Sequence, residues 1–208
     1  MKKLATLSTN CIKSFIAALA IAIAGYCNLL SESKWLGSVL FSFGLIYVCK
    51  YRMNLFTGMA GYITTTKIPS FIVSIVVNLV AAFATGMLLS YNPSAVENAN
   101  ALLGVKLETD ILSVLISSVM CGVLIFLSVD YYKRFSSIIG IIFAIPIFVL
   151  CGFDHAVADA FYIGIAGTIN KNLVLFILTV VVGNIIGSTL MRHLLYLFKE
   201  NVNENKNV

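Results

Sequence analysis

The residues best able to do chemistry sit in Gly152-Phe153-Asp154-His155-Ala156-Val157-Ala158-Asp159. An imidazole titrates near pH 6.5 when unperturbed. With a carboxylate beside it and another four positions on, it could act as an acid–base set or supply metal ligands. His155 is also the only histidine inside an apolar stretch, since His193 lies in a charged segment further on. A second polar island, Lys50-Tyr51-Arg52-Met53-Asn54-Leu55-Phe56-Thr57-Gly58, places two cations and a hydroxyl inside another apolar stretch. Cations at such positions are functional candidates by default when the stretch lies in a membrane. Lys50 or Arg52 could pair with Asp130, Asp154 or Asp159, or form a second anion site.

The elements around these islands are membrane helices. Of 208 residues 60% are hydrophobic and 11% charged, and the mean hydropathy is +0.97. About 25% charge is usual for a soluble domain, so the composition excludes soluble domains and disordered chains. The formal net charge of +5 does not indicate nucleic acid, because the 14 Lys and Arg are scattered between apolar runs. Five cysteines without a C-x-x-C spacing suggest neither a disulfide framework nor a zinc site. No metal or cofactor is expected.

Uncharged runs cover 14–30, 35–49, 53–66, 68–96, 111–129, 135–153, 160–170 and 172–191. A spanning helix needs roughly 20 apolar residues. The pairs 35–49 with 53–66, and 135–153 with 160–170, are each separated by one of the polar islands. The simplest count is six spans, the second and fifth interrupted. Met1-Lys2-Lys3 resembles the start of a signal peptide, but 14–30 is long for its apolar region and no A-x-A site follows closely. The first helix is therefore expected to be retained.

With the N-terminus inside, Lys2, Lys3, Lys13, Lys67, Lys133, Arg134, Arg192, Lys199 and Lys206 are cytoplasmic, nine basic residues against Lys34, Lys106 and Lys171 outside. This obeys the positive-inside rule. The expectation is a single multi-pass domain in the cell (inner) membrane: 1–13 cytoplasmic, 14–198 a six-span pore, and 199–208 a cytoplasmic tail. Interruptions at corresponding positions of two three-helix halves point to a transporter's binding site. Broken backbone at membrane depth must be buried in protein or line a wet cavity.

The same segments resemble one family. Phe41-Ser42-Phe43-Gly44-Leu45-Ile46…Asn54-Leu55-Phe56-Thr57-Gly58 is similar to the GLI…ELFTG pattern of formate–nitrite transporters. Pro146…Gly152-Phe153-Asp154-His155-Ala156-Val157-Ala158 resembles their P…GFEHSVAN, and Gly183-Asn184-Ile185-Ile186-Gly187 their GNIIGG. Val77-Asn78-Leu79-Val80-Ala81 is similar to GNLVGA, and Lys106-Leu107 with Met120-Cys121-Gly122 and Leu127 matches the fourth-helix pattern. The matches run in order over about 35–196.

The resemblance implies an all-α membrane protein: six transmembrane helices as two inverted three-helix repeats, aquaporin-like, with helices 2 and 5 interrupted. It implies a homopentamer, each protomer with its own pore. The permeant species would be a small monovalent weak-acid anion (formate, nitrite, hydrosulfide or similar), with or without a proton. His155 matches the pore histidine, and protonating or pairing with an ion offsets part of its desolvation cost. Thr57 would face His155. Phe41, Ile125 and Phe148 fall at the periplasmic constriction, and Leu45, Leu55 and Phe56 at the cytoplasmic one. Lys106 would attract anions into the periplasmic vestibule, and Asn184 would line the route or bond within the bundle.

The chain departs from the pattern at Asn54 and Asp154 (usually Glu), Gly122 and Asp159 (usually Asn), and at Lys50 and Arg52 (usually small or apolar). The alternatives are a neutral-solute pore, an assembly subunit without transport, and a membrane enzyme built on Asp154, His155 and Asp159. No further Cys/His cluster supports a metal, and the expectation is a transporter rather than an enzyme.

Overall fold

The computed structural model describes residues 2–167 and 171–204. Residue Met1 and positions 168–170 and 205–208 lie outside the described residues, and with them Lys206 and the end of the expected tail at 199–208. Among the described residues the regular structure is entirely helical: α1 (Lys2–Leu30), α2 (Lys34–Lys50), α3 (Phe56–Met59), α4 (Ile68–Leu89), α5 (Pro93–Glu108), α6 (Ile111–Phe135), α7 (Ile139–Leu150), α8 (Ala156–Ala166) and α9 (Lys171–Glu204). Helices within α1, α4, α6 and α9 are long and apolar enough to cross a membrane. An all-helical solution satisfies each segment's backbone polar groups internally, which a hydrocarbon surrounding demands.

The two polar islands end helices in the same way. After α2, Tyr51 N donates to Tyr47 O at 3.0 Å and Met53 N to Val48 O at 2.9 Å. After α7, Cys151 N donates to Ile147 O and Phe153 N to Phe148 O, both at 3.0 Å. Each terminus is a Schellman turn with one left-handed residue. In the second that residue is Gly152, φ +71°; in the first it is Arg52, φ +53°. Leu55 and His155 then lie in extended backbone as N-caps of α3 and α8. The successors differ in length: α3 makes one turn and passes into a 3-10 turn at Ala60–Tyr62, whereas α8 continues to Gly167, φ +70°.

Three run boundaries move. The run 68–96 is not one helix, because α4 stops at Leu89 and Asn92 caps α5, its Oδ1 accepting from Ser94 N at 3.1 Å ahead of Pro93's turn. Proline at the first helical position favours that restart. The run 53–66 holds α3 and two 3-10 turns rather than a span. Within 135–153, Ser136 at φ +54° closes α6 before α7 begins. In the first and third cases a local cap overrides continuous hydropathy.

Small residues bring the helices close. A Cβ on Gly187 would collide with the Val119 carbonyl, and one on Gly183 with Ser118 Cβ, so α9 lies directly against α6. Close backbone approach through a small-xxx-small stripe is the usual basis of helix packing in lipid, where burial of apolar side chains gives little net drive. Gly86 and Gly164 do the same for α4 and α8.

Candidate functional site

Asn78 of α4 and Asn184 of α9 fix the two islands. Asn78 Oδ1 accepts from Phe56 N at 2.9 Å, and its Nδ2 donates to Ser14 O at 2.7 Å and Asn54 O at 3.1 Å. Asn184 Oδ1 accepts from Ala156 N at 3.0 Å, and its Nδ2 donates to Ser118 O and Asp154 O, both at 2.9 Å. Both amides are fully buried. Each satisfies a helix-start N–H and one loop carbonyl, Asn54 O or Asp154 O, that no helical bond reaches, and adds a bond to a carbonyl inside α1 or α6. Of the two roles open to Asn184, its amide makes the bonds within the bundle. One turn beyond it, Ser188 Oγ lies 3.2 Å from Thr57 O and 3.0 Å from Gly122 O, tying the first island to α6 and α9.

Held this way, Thr57 Oγ1 lies 3.1 Å from His155 Nε2. Both side chains are buried, at 1% and 2% exposure. His155 also caps α8: its Nδ1 accepts from Ala158 N at 3.3 Å. An accepting Nδ1 keeps its lone pair, so the ring is the neutral Nε2–H tautomer and donates to Thr57. With both nitrogens engaged, His155 is not presented as a ligand. Among the described residues, no group of three or more His, Cys, Asp or Glu could hold a metal ion.

On one side of the pair is a cavity of about 60 Å³ lined by His155, Phe41, Phe148, Lys106, Asp159 and Tyr162, among others. Phe41 meets Phe148 edge-on at 5.5 Å between centroids, and Phe148 lies 6.0 Å from the His155 ring. Lys106 Nζ bonds Asp154 Oδ1 and lies 3.0 Å from Asp159 Oδ1. Asp154 is held further by Ser117, whose Oγ donates to Oδ2 at 2.6 Å and accepts from Asp154 N at 3.1 Å. The carboxylates weighed as partners of Lys50 and Arg52 are therefore otherwise engaged: Asp154 and Asp159 face Lys106. Asp130 bonds Arg134, and it accepts from Tyr62 Oη at 2.7 Å. The link from α5 to the second island escaped the sequence reading, because its members lie about fifty positions apart and share no motif.

A second cavity, of about 570 Å³, is bordered by Leu55, Gly58, Lys50, Arg52, Met53 and Lys133 among others. Lys50 and Arg52 are exposed at its edge. Leu55 and Leu45 are buried at 1%, and Phe56 packs on Phe71 at 6.3 Å. Ile125 is buried in α6.

A helical membrane bundle with a buried hydroxyl–imidazole pair between two broken segments defines a membrane transport protein. The family model for formate/nitrite transporters matches residues 1–198, and the chain belongs to that family, which comprises transporters rather than enzymes. Among solved structures, the fold is similar to a pentameric formate channel with formate bound, at 20% identity over 94% of this chain and 98% of that one, TM-score 0.80. It is also similar to an FNT family ion channel, at 17% identity over 95% and 90%, TM-score 0.76. No curated protein sequence matches the chain.

Proposed function

We propose that the chain is a channel or proton-coupled transporter for small monovalent weak-acid anions of the formate, nitrite and hydrosulfide class. The observation that carries this reading is the Thr57–His155 pair, buried where the two islands meet, with His155 on the wall of the smaller cavity and Leu55 and Gly58 beside Thr57 on the wall of the larger one. A charged solute loses its hydration in such a place. The Thr57 hydroxyl, whose oxygen accepts from the imidazole N–H, donates its own proton to the solute and replaces part of that hydration, and Phe41, Phe148, Ile125, Leu45, Leu55 and Phe56 keep the rest of the passage narrow and apolar.

The matching clamps of Asn78 and Asn184 support two inverted three-helix repeats, α1–α4 and α6–α9, with α2/α3 and α7/α8 as interrupted second and fifth spans. The likeness to a pentameric formate channel supports a homopentamer. We assign the Lys106 cavity to the periplasmic face and the Lys50–Arg52 cavity to the cytoplasmic face, with both termini cytoplasmic. The test is anion flux into liposomes holding the purified protein. Formate, nitrite or hydrosulfide entry above empty vesicles, slowed by His155→Asn, supports the reading. No flux at acidic or neutral pH overturns it, and glycerol or urea flux alone would make the chain a neutral-solute pore.

A further inference from the structure

Asp159 does not share the satisfied state of its neighbours. Its side chain is 2% exposed, and Oδ2 has no hydrogen-bond partner. It lines the cavity of about 60 Å³ that it shares with His155 and Lys106, room for a small anion or very few waters. A buried polar atom without a partner is costly and calls for an explanation. Here the family pattern has an amide in place of the acid, so the extra carboxyl is this chain's own.

Charge counting gives the explanation. Asp154 and Asp159 share one ammonium, Lys106, and His155 is neutral by its hydrogen bonds. With both acids ionised, the cavity wall carries a net negative charge and repels an entering anion. A proton on Asp159 Oδ2 makes the cluster neutral and turns the orphan oxygen into a donor facing the cavity. Asp154 is the less suited carrier, because Lys106 bonds its Oδ1 and Ser117 its Oδ2. His155 cannot take a proton on Nδ1 without losing the Ala158 N–H cap of α8. The groups facing Asp159 are Lys106 from α5, Asp154 and His155 from the loop, Tyr162 from α8 and the buried Cys121 from α6. From α1 comes the neutral Asn28, while Tyr26 turns to Phe161 and Asn92.

We infer that Asp159 is a proton-carrying residue: its carboxylic acid meets the permeant anion in the small cavity and hands it the proton. The step is balanced. The Oδ2–H bond breaks, the proton joins the anion to give the neutral acid, and the electron pair stays on Asp159 as a carboxylate paired with Lys106. The neutral acid passes Thr57 and His155 and releases its proton on the far side. Water at the Lys106 side then reprotonates Asp159. One anion and one proton move together, with no charge crossing.

This inference rests on the proposed transport of weak-acid anions, and the experiment separates the two. Liposomes containing the full-length protein are given formate, with uptake and internal pH followed together. Losing a positioned proton donor typically costs about a hundredfold, so Asp159→Asn should lower formate-coupled proton entry by about that factor while Asp159→Glu restores much of it. Independently of transport, infrared spectra should show an undissociated-acid C=O band in the wild type that Asp159→Asn removes. Formate and proton entry unchanged in Asp159→Asn overturns the inference, as does a band that survives the substitution. Wild-type protein that moves no anion defeats the transport reading alone, and the infrared measurement still decides whether Asp159 holds the proton. Should Asp159→Asn fail to fold, the Asp159→Glu profile and the wild-type band carry the decision.

Discussion

Asn78 and Asn184 clamp the starts of α3 and α8 by the same three hydrogen bonds, each amide accepting one backbone N–H and donating to two carbonyls. The bonded partners correspond across the halves: Phe56 with Ala156, Asn54 with Asp154, and Ser14 with Ser118. Replacing Asn184 by Leu orphans Ala156 N and Asp154 O in a dry interior and strips a second bond from Ser118 O inside α6. Each unsatisfied buried group costs about 1–3 kcal/mol. Asn184→Leu and Asn78→Leu should each lower the thermal midpoint of the detergent-solubilised protein substantially, and a change no larger than for an exposed apolar substitution would refute the clamp.

Arg52 and Gly152 occupy equivalent left-handed positions with different fitness for them. A side chain in that conformation costs about 1–2 kcal/mol, and a Cβ on Gly152 would meet nothing within 4 Å. Gly152→Ala should therefore destabilise by about 1 kcal/mol from conformation alone, and Arg52→Gly should recover a similar amount. Urea or thermal unfolding of the two variants measures both. If Arg52 serves the larger cavity by its charge, Arg52→Gly gains stability while slowing anion entry from that side, and the slowing should shrink at high salt.

Much of this arrangement is legible in the sequence, for physical reasons that also set the limit. Charge scarcity names the solvent, and each polar island marks a place where a helix stops: Lys50–Arg52 before α3 and Gly152–Asp154 before α8. The restart at Asn92-Pro93 was equally written in cap chemistry but hidden by continuous hydropathy. The partners of Lys106 were not legible, since α5 meets the second island only after packing. Asn184 was visible as a residue of interest, yet its role depends on which backbone groups the break leaves unpaired. That accounting requires coordinates.

Thr57 and His155 form a pair whose two halves can be tested separately. Thr57→Val keeps the volume but leaves the His155 Nε2–H without its acceptor at a site where both side chains are buried. An orphan costing about 1.4 kcal/mol corresponds to roughly tenfold in a rate or an equilibrium. Thr57→Ser keeps the oxygen and should retain most of the flux, whereas Thr57→Val should lose about tenfold. Equal fluxes for the two would show that the hydroxyl has no part in permeation.

Lys106 makes the sharpest demand on stability, because it is the cation that Asp154 and Asp159 share. Its side chain is 12% exposed and theirs 6% and 2%. Removing one partner of a buried ion pair leaves uncompensated charge and costs about 3–5 kcal/mol. Lys106→Gln should therefore destabilise strongly. Adding Asp159→Asn to it leaves Asp154 as the one acid of the cluster, so the double variant should be more stable than Lys106→Gln alone. A full double-mutant cycle on thermal midpoints reads the coupling directly. Additive effects would mean that Lys106 and Asp159 do not interact, and a Lys106→Gln protein as stable as wild type would leave the shared cation without energetic meaning.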